Sequence, residues 1–333
     1  MLYLHGIGHF HPENVIDNAF LEALDIGTTE SWILERVGIR SRRTVLSLEY
    51  IKQTHNKDLR AAGEASLYTD AQTAAKAAAI ALERAGLKTS DIGLVISGGC
   101  STQWALPAEA CRVAAELGIE APAIDLNSGC STFGAILQFV LGMRPEASPD
   151  YILVVNPEAS TRVMSYDDRN TAVLFGDCST AAIVSLKHPA RARIVHGTIA
   201  SDPKGWDKAV VPFGGYFAQE GKTVQGFAIR RTVSTFKELA ERLPAARREK
   251  LYFIGHQANA LVLEGACRYT KVDEAHHFHN VEDFGNCASA GAPSVLSQRF
   301  GDFADGDELA MVIVGAGLTW ASLHLQFGEP LAA

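Results

Sequence analysis

Three near-copies of one string place a cysteine among small and hydroxyl residues: "GGCST" (Gly98–Thr102), "SGCST" (Ser128–Thr132) and "GDCST" (Gly176–Thr180). A thiolate in such a turn is a nucleophile suited to acyl transfer from thioesters, because both partners are sulfur acyl carriers. Cys130 has the most favourable surroundings. It follows the small turn "NSG" and opens the apolar run "TFGAILQFVL" (Thr132–Leu141), which reads as a helix. The unpaired N–H groups and partial positive charge of a helix N-terminus stabilise thiolate over thiol and can supply an oxyanion donor. Two further polar residues stand in similar settings. His256, in "GHQAN", follows the apolar run "LYFI", and Asn286 sits in "FGNCASAG". A histidine at a strand end can donate a hydrogen bond or move a proton, and an asparagine amide donates without adding charge. Taken singly, each has a plain structural reading: a packed core thiol, a capping histidine, a turn asparagine.

The elements that would position these residues alternate along the chain. Strands are expected at 93–97, 122–126, 151–155, 181–185, 251–254 and 310–314. Helices are expected at 71–85, 108–117, 132–141, 234–243 and 258–269. The opening "MLYLHGIGHF" alternates like a strand rather than an export signal. Such alternation predicts α/β layers with much parallel sheet. The 132–141 helix is apolar on nearly every face, so it should be buried on all sides.

The second half of the chain repeats the first. "IGLVISGGCSTQWALPAEACR" parallels "EKLYFIGHQANALVLEGACR"; "LNSGCSTFGAIL" parallels "DFGNCASAGAPSVL"; "YILVVNPEAS" parallels "ELAMVIVGAGLTW". Three correspondences in order predict a duplicated fold whose halves, 1–188 and 189–333, join near Lys187–Arg193. Turns at matching strand ends would then face one another. This brings Cys100, Cys130, His256, Asn286 and the glycine turn Gly315–Gly317 toward one site.

With these motifs the chain resembles the β-ketoacyl-acyl-carrier-protein synthase III enzymes of the thiolase superfamily. "TTESWILERVGIRSRR", "SGCSTFGAIL", "DDRNTAVLFGD", "GHQAN", "FGNCASAG" and the closing "GAGLTW" occur in order and span nearly the whole chain. The resemblance implies a thiolase-like fold, with two pseudo-symmetric halves in a five-layered α/β/α/β/α arrangement. It implies that Cys130 takes a primer acyl group from acyl-CoA, and that His256 and Asn286 hydrogen-bond a malonyl thioester as it decarboxylates and condenses. The main-chain N–H groups of Cys130 and Gly317 would form the oxyanion hole. Trp32, Arg36 and Arg169 would hold coenzyme A, and Leu106 would reach the acyl pocket of a second subunit, implying a homodimer. Coenzyme A thioesters are substrates here, and no resident cofactor or metal is implied. The extender would be malonyl thioester on coenzyme A or on an acyl carrier protein, itself a candidate partner.

The chain departs from the family pattern in four places. Thr44–Tyr68 is longer than usual and could reshape or cover the entry. "GDCSTAA" replaces a glycine-rich turn, leaving Cys178 a structural role. A basic residue expected after "HQAN" is replaced by Ala260, Leu261 and Val262, which would move carrier docking to Arg230, Arg231, Arg247 and Arg248. Cys100 would line the site or a subunit interface. These departures suggest a specialised relative.

The remaining features narrow the class. The 333 residues are 47% hydrophobic and carry a net charge of −8, so composition gives a nucleic-acid partner no support. The longest strongly apolar stretch, Phe133–Met143, is too short to cross a bilayer. Six cysteines without CxxC spacing suit free thiols and a cytoplasmic location. "HHFH" (His276–His279) reads as a strand leading toward Asn286 rather than a metal site. Two rivals share the fold: transfer of the acyl group to an alcohol or amine, and a non-catalytic partner subunit. Asn286 argues against the first, and Cys130 against the second.

Overall fold

The computed structural model describes residues 1–328. Nine strands form its main sheet: β1 (Leu2–Phe10), β2 (Ile92–Ser97), β3 (Ala123–Asp125), β4 (Tyr151–Glu158), β5 (Cys178–Ser185), β6 (Ala192–Ser201), β7 (Leu251–Gly255), β8 (Glu308–Gly315) and β9 (Thr319–Phe327). Their order is β3-β2-β4-β5-β1-β6-β9-β8-β7. The order is a repeat. β2 runs parallel to β4 as β7 does to β8, and the pairs β4/β5 and β5/β1 are antiparallel like β8/β9 and β9/β6. Only three residue pairs, Leu2↔Ile194 to Leu4↔Ala192, join the two halves through β1 and β6. The two half-sheets therefore diverge into separate layers.

Helices fill the spaces between and outside these layers. The connections carry α1 (Glu30–Val37), α2 (Asp70–Ala85), α3 (Glu109–Leu117), α4 (Thr132–Leu141), α5 (Gly221–Glu241), α6 (Ala260–Thr270) and α7 (Gly291–Arg299). α4 packs against β4 on one side and β6 and β9 on the other; α7 packs against β1, β5 and β7. Both are central. α2 and α3 cover one outer face, and α5, with α6 packed on it, covers the other. This is the five-layered α/β/α/β/α arrangement expected from the sequence. The central core joins Phe133, Ile136 and Leu137 of α4 to Leu4, Ile194, Ile254, Met311 and Leu323 of both half-sheets.

Local chemistry explains the close layering. β5 is buried at every position; Ala181–Val184 are apolar, and Ser179 satisfies its hydroxyl by donating to Thr73 Oγ1 of α2 at 2.8 Å. α2 begins in a capping box between Thr69 and Gln72 and buries Ala74, Ala77, Ala78 and Ala81. A Cβ on Gly8 of β1 would lie 2.1 Å from the Ala77 carbonyl oxygen, so only glycine lets this helix rest directly on the strand.

Some expected elements differ. The 234–243 helix is the last part of the 21-residue α5, whose buried positions Phe227, Ala228, Thr232, Thr235, Phe236 and Leu239 keep a helical period through a polar stretch. α4 is not buried on all sides, because Phe139 near its C-terminus is 52% exposed. His276–His279 forms no strand. Glu274–His276 is a 3₁₀ turn, and His277 makes only an isolated bridge to Phe253.

Candidate active site

The nucleophile turn is knitted together by hydroxyls. Cys130 lies two residues before α4. Ser131 Oγ stands 2.8 Å from both the Ser128 carbonyl oxygen and Thr319 Oγ1, and Thr132 Oγ1 donates to the Gly129 carbonyl at 2.6 Å. The hydroxyls of "CST" are thus structural and hold the cysteine at the helix entry. The carboxyl end of β8 presses against it. A Cβ on Gly315 would fall 2.8 Å from the amide nitrogens of both Cys130 and Ser131. Glycine here lets the following turn lie over those N–H groups.

Several donors converge on the Cys130 sulfur and hold its pKa well below that of an ordinary thiol. The largest contribution is the Cys100 thiol, which donates across 3.9 Å; His256 and the backbone N–H of Ala316 add to it, against the opposing effect of burial. The same pairing and burial push Cys100 upward, so it keeps its proton.

His256 and Asn286 are set by their strand-end turns. His256 follows β7, is 6% exposed and has no partner for Nδ1. Gln257 fixes the turn by donating to Gly255 O at 2.8 Å and accepting from Asn280 N at 3.0 Å. The backbone of Asn286 is clamped on both sides: its N–H donates to Leu174 O at 2.8 Å, and its carbonyl accepts from Gly176 N at 3.1 Å. Its side-chain oxygen accepts from Ala288 N at 2.9 Å, which leaves the NH₂ free to face the cleft. "LFGD" is therefore the clamp for Asn286.

Cys130, His256 and Asn286 line one cleft of about 670 Å³. Trp32, Arg36 and Arg169 line it too. The Arg169 and Arg36 guanidinium carbons lie 4.9 and 5.9 Å from the Trp32 ring centroid, a flat and cationic surface suited to a nucleotide. A second cavity of about 200 Å³ shares Cys130, Phe175, Ala209, Phe217 and Ala316 with the cleft and adds Cys100, Val163 and Met164. Cys130 stands between the two.

Other expectations do not converge there. Gly317, expected in the oxyanion hole, is not among the cleft residues. At φ +119° it turns the chain into β9, while the preceding Ala316 lines both cavities. Leu106, expected to reach a second subunit's pocket rather than this one, lines neither cavity of its own chain and is 83% exposed on the loop between β2 and α3. Thr44–Tyr68 does not cover the cleft; its Leu46, Ile51 and Ala62 pack with Met164, Tyr166 and Val173, bracing the wall from behind. Of the arginines considered for carrier docking, Arg231 stacks on Trp320, Arg247 pairs with Glu308, and Arg248 donates to Leu243 O. The cations at the cleft are Arg36, Arg169 and Lys222. Among the described residues, no group of three or more His, Cys, Asp or Glu is placed to hold a metal.

One residue was not anticipated. Glu158, at the end of β4, is 2% exposed and accepts from Cys100 N, Ser101 Oγ, Ser289 N and Ser289 Oγ. Burial raises its pKa to about 7. Its only signal in the sequence is a glutamate three residues past the apolar run Tyr151–Val155.

The chain is similar to known proteins over nearly its whole length. Residues 124–203 match the family model for 3-oxoacyl-[acyl-carrier-protein] synthase III, and residues 246–327 match the model for its C-terminal part. The β-ketoacyl-[acyl-carrier-protein] synthase III of Syntrophomonas wolfei is 30% identical over 97% of each chain. That of Oceanobacillus iheyensis is 29% identical over 97% of this chain and 98% of its own. The crystal structure of 3-oxoacyl-[acyl-carrier-protein] synthase III from Aquifex aeolicus superimposes with a TM-score of 0.86 at 26% identity, over 98% of this chain and 100% of the other.

Proposed function

Because the chain belongs to the β-ketoacyl-acyl-carrier-protein synthase III family of condensing acyltransferases, we propose that Cys130, His256 and Asn286 carry out its reaction. The Cys130 thiolate attacks the carbonyl of a primer acyl-CoA. The N–H groups of Cys130 and Ala316 receive the tetrahedral oxyanion, and coenzyme A leaves as its thiolate. A malonyl thioester then enters. His256 and the Asn286 amide donate to its thioester oxygen while the bond to the carboxylate breaks and carbon dioxide leaves. The resulting enolate attacks the acyl-cysteine carbonyl, and collapse of that adduct releases β-ketoacyl product and the Cys130 thiolate.

The observation that carries this reading is Cys130 between two cavities. One is lined by nucleotide-binding side chains and both carbonyl donors, the other by apolar walls fit for a primer acyl group. Transfer to an alcohol or amine calls for a base at the acceptor, where Asn286 offers only a donor. The test separates the half-reactions. His256→Ala and Asn286→Ala should still accept an acyl group on Cys130 but lose malonyl decarboxylation by about 10²–10³-fold. Equal loss of both half-reactions, or of neither, would contradict the assignment.

Coarser features follow the same reading. The extender arrives on coenzyme A or an acyl carrier protein past Arg36 and Lys222, and the product starts a fatty-acid or polyketide-type chain. Along the chain the halves divide between β5 and β6, at residues 188 and 189, although their sheets join through β1 and β6. Exposed Trp104, Leu106 and Ile124 near the open edge of β3 support a homodimer, which a single-chain mass in sedimentation would contradict. No described helix is long and apolar enough to cross a membrane. The dependence on coenzyme A thioesters and on free thiols, Cys130 among them, favours the cytoplasm.

A further inference from the structure

The condensation uses the Cys130 thiol and leaves its neighbour without a chemical step. Both cysteines are free, both line the smaller cavity, and their sulfurs lie 3.9 Å apart. A disulfide needs ~2.05 Å between sulfurs, so a modest rotation of two side chains would close the gap.

The backbone around each thiol is held. The Cys100 N–H donates to both oxygens of Glu158, at 2.9 and 3.1 Å. Just before it, a Cβ on Gly98 would fall 1.9 Å from the Leu126 carbonyl oxygen, so the loop lies directly on the chain leading to Cys130. Cys130 is fixed by the hydroxyl network of Ser128, Ser131 and Thr319. The two thiols thus face each other by construction of both turns.

We propose that Cys100 is a resolving thiol: peroxide oxidation of Cys130 is captured as a Cys100–Cys130 disulfide, which blocks acyl loading and is reversed by a thiol reductant. The proposal rests on reading Cys130 as the nucleophile. In the first step the Cys130 thiolate attacks one oxygen of hydrogen peroxide. The O–O bond breaks, hydroxide leaves, and sulfur becomes a sulfenic acid, two electrons having passed to the peroxide. In the second step the Cys100 sulfur attacks the sulfenic sulfur. The S–S bond forms and the S–O bond breaks. The departing hydroxide takes up the Cys100 proton and leaves as water. A dithiol reductant then returns two thiols by exchange. Without a resolving partner, further peroxide carries a sulfenic acid to sulfinic and sulfonic acids, which reductant does not reverse.

The experiment uses the full, reduced chain, exposed to hydrogen peroxide, quenched with iodoacetamide, and read by intact mass and non-reducing peptide mapping. The expected wild-type result is loss of two hydrogens, a linked peptide joining Cys100 to Cys130, and loss of acyl loading that dithiothreitol restores. Cys100→Ala should instead carry two or three added oxygens on Cys130, with loading not restored. The buried pair Cys178 and Cys287 is an internal control. A wild-type chain that over-oxidises at Cys130, or whose linked peptide joins Cys178 to Cys287, would overturn the proposal, and this mapping decides the matter even if the variant fails to fold. Acyl loading of the reduced protein is read separately. Its absence sinks the nucleophile role, whereas the switch stands or falls on the linked peptide.

Discussion

At Cys130 the Cys100 thiol, the His256 ring and the Ala316 amide all favour negative charge on one sulfur. Alkylation by iodoacetamide should therefore proceed through a thiolate already formed well below the pH at which an ordinary thiol ionises. Cys100→Ala removes the largest donor, so the midpoint of rate against pH should move upward. A wild-type midpoint in the usual thiol range, or one unmoved by the substitution, would contradict this. Cys130, His256 and Asn286 were legible as residues that share one cleft, because Cys130 and His256 follow strand-like runs and all three sit at turns of small residues. The amide proposed as the second oxyanion donor was not legible, because in "GAGLTW" three successive N–H groups are candidates and only the folded cleft, lined by Gly315 and Ala316, separates them.

Elements were legible where pattern and burial agree, as in β4, apolar from Tyr151 to Val155 and buried from Ile152 onward, and illegible where tertiary packing overrides pattern. α7 is central and buried, yet "GAPSVLSQR" carries no apolar helical period of its own, and only its match to the segment opening α4 marks it. Its Ser294 returns its hydroxyl to Gly291 O at 2.7 Å, so a polar residue is satisfied within the core. β6 is buried over Ala192–Ile194 but alternates part-exposed and exposed positions over Thr198–Ser201, with His196 and Gly197 weakening the strand signal. The contact between β8 and the nucleophile turn yields a sharp prediction. Gly315→Ala would push a methyl into the amides of Cys130 and Ser131, so acyl loading should fall about 10²-fold through a misplaced oxyanion donor. Circular dichroism should remain native. Full activity in this variant would show that the turn does not bear on the amides.

Across the whole molecule, the duplication was legible because three motif pairs recur in order, and the strand order repeats it. What joins the halves was not. Glu158 reaches from β4 of the first half to Ser289, just before α7 of the second. Its folded pKa of about 7 exceeds the ordinary glutamate value, so the folded state binds more protons than the unfolded state between them. Its contribution to stability is therefore present below about pH 4.5 and is lost as pH rises through about 7. Glu158→Gln should flatten the fall in Tm over that window, as measured by thermal denaturation at several pH values. An unchanged slope would contradict the assignment.

The central claim is that Cys130 forms an acyl-enzyme which a malonyl thioester then consumes. Intact mass of the chain after incubation with a panel of acyl-CoAs tests it most directly. One or more primers should add a single acyl mass that disappears with carbon dioxide release when malonyl thioester follows. Absence of an adduct with every primer, or an adduct that persists in Cys130→Ala, would contradict it.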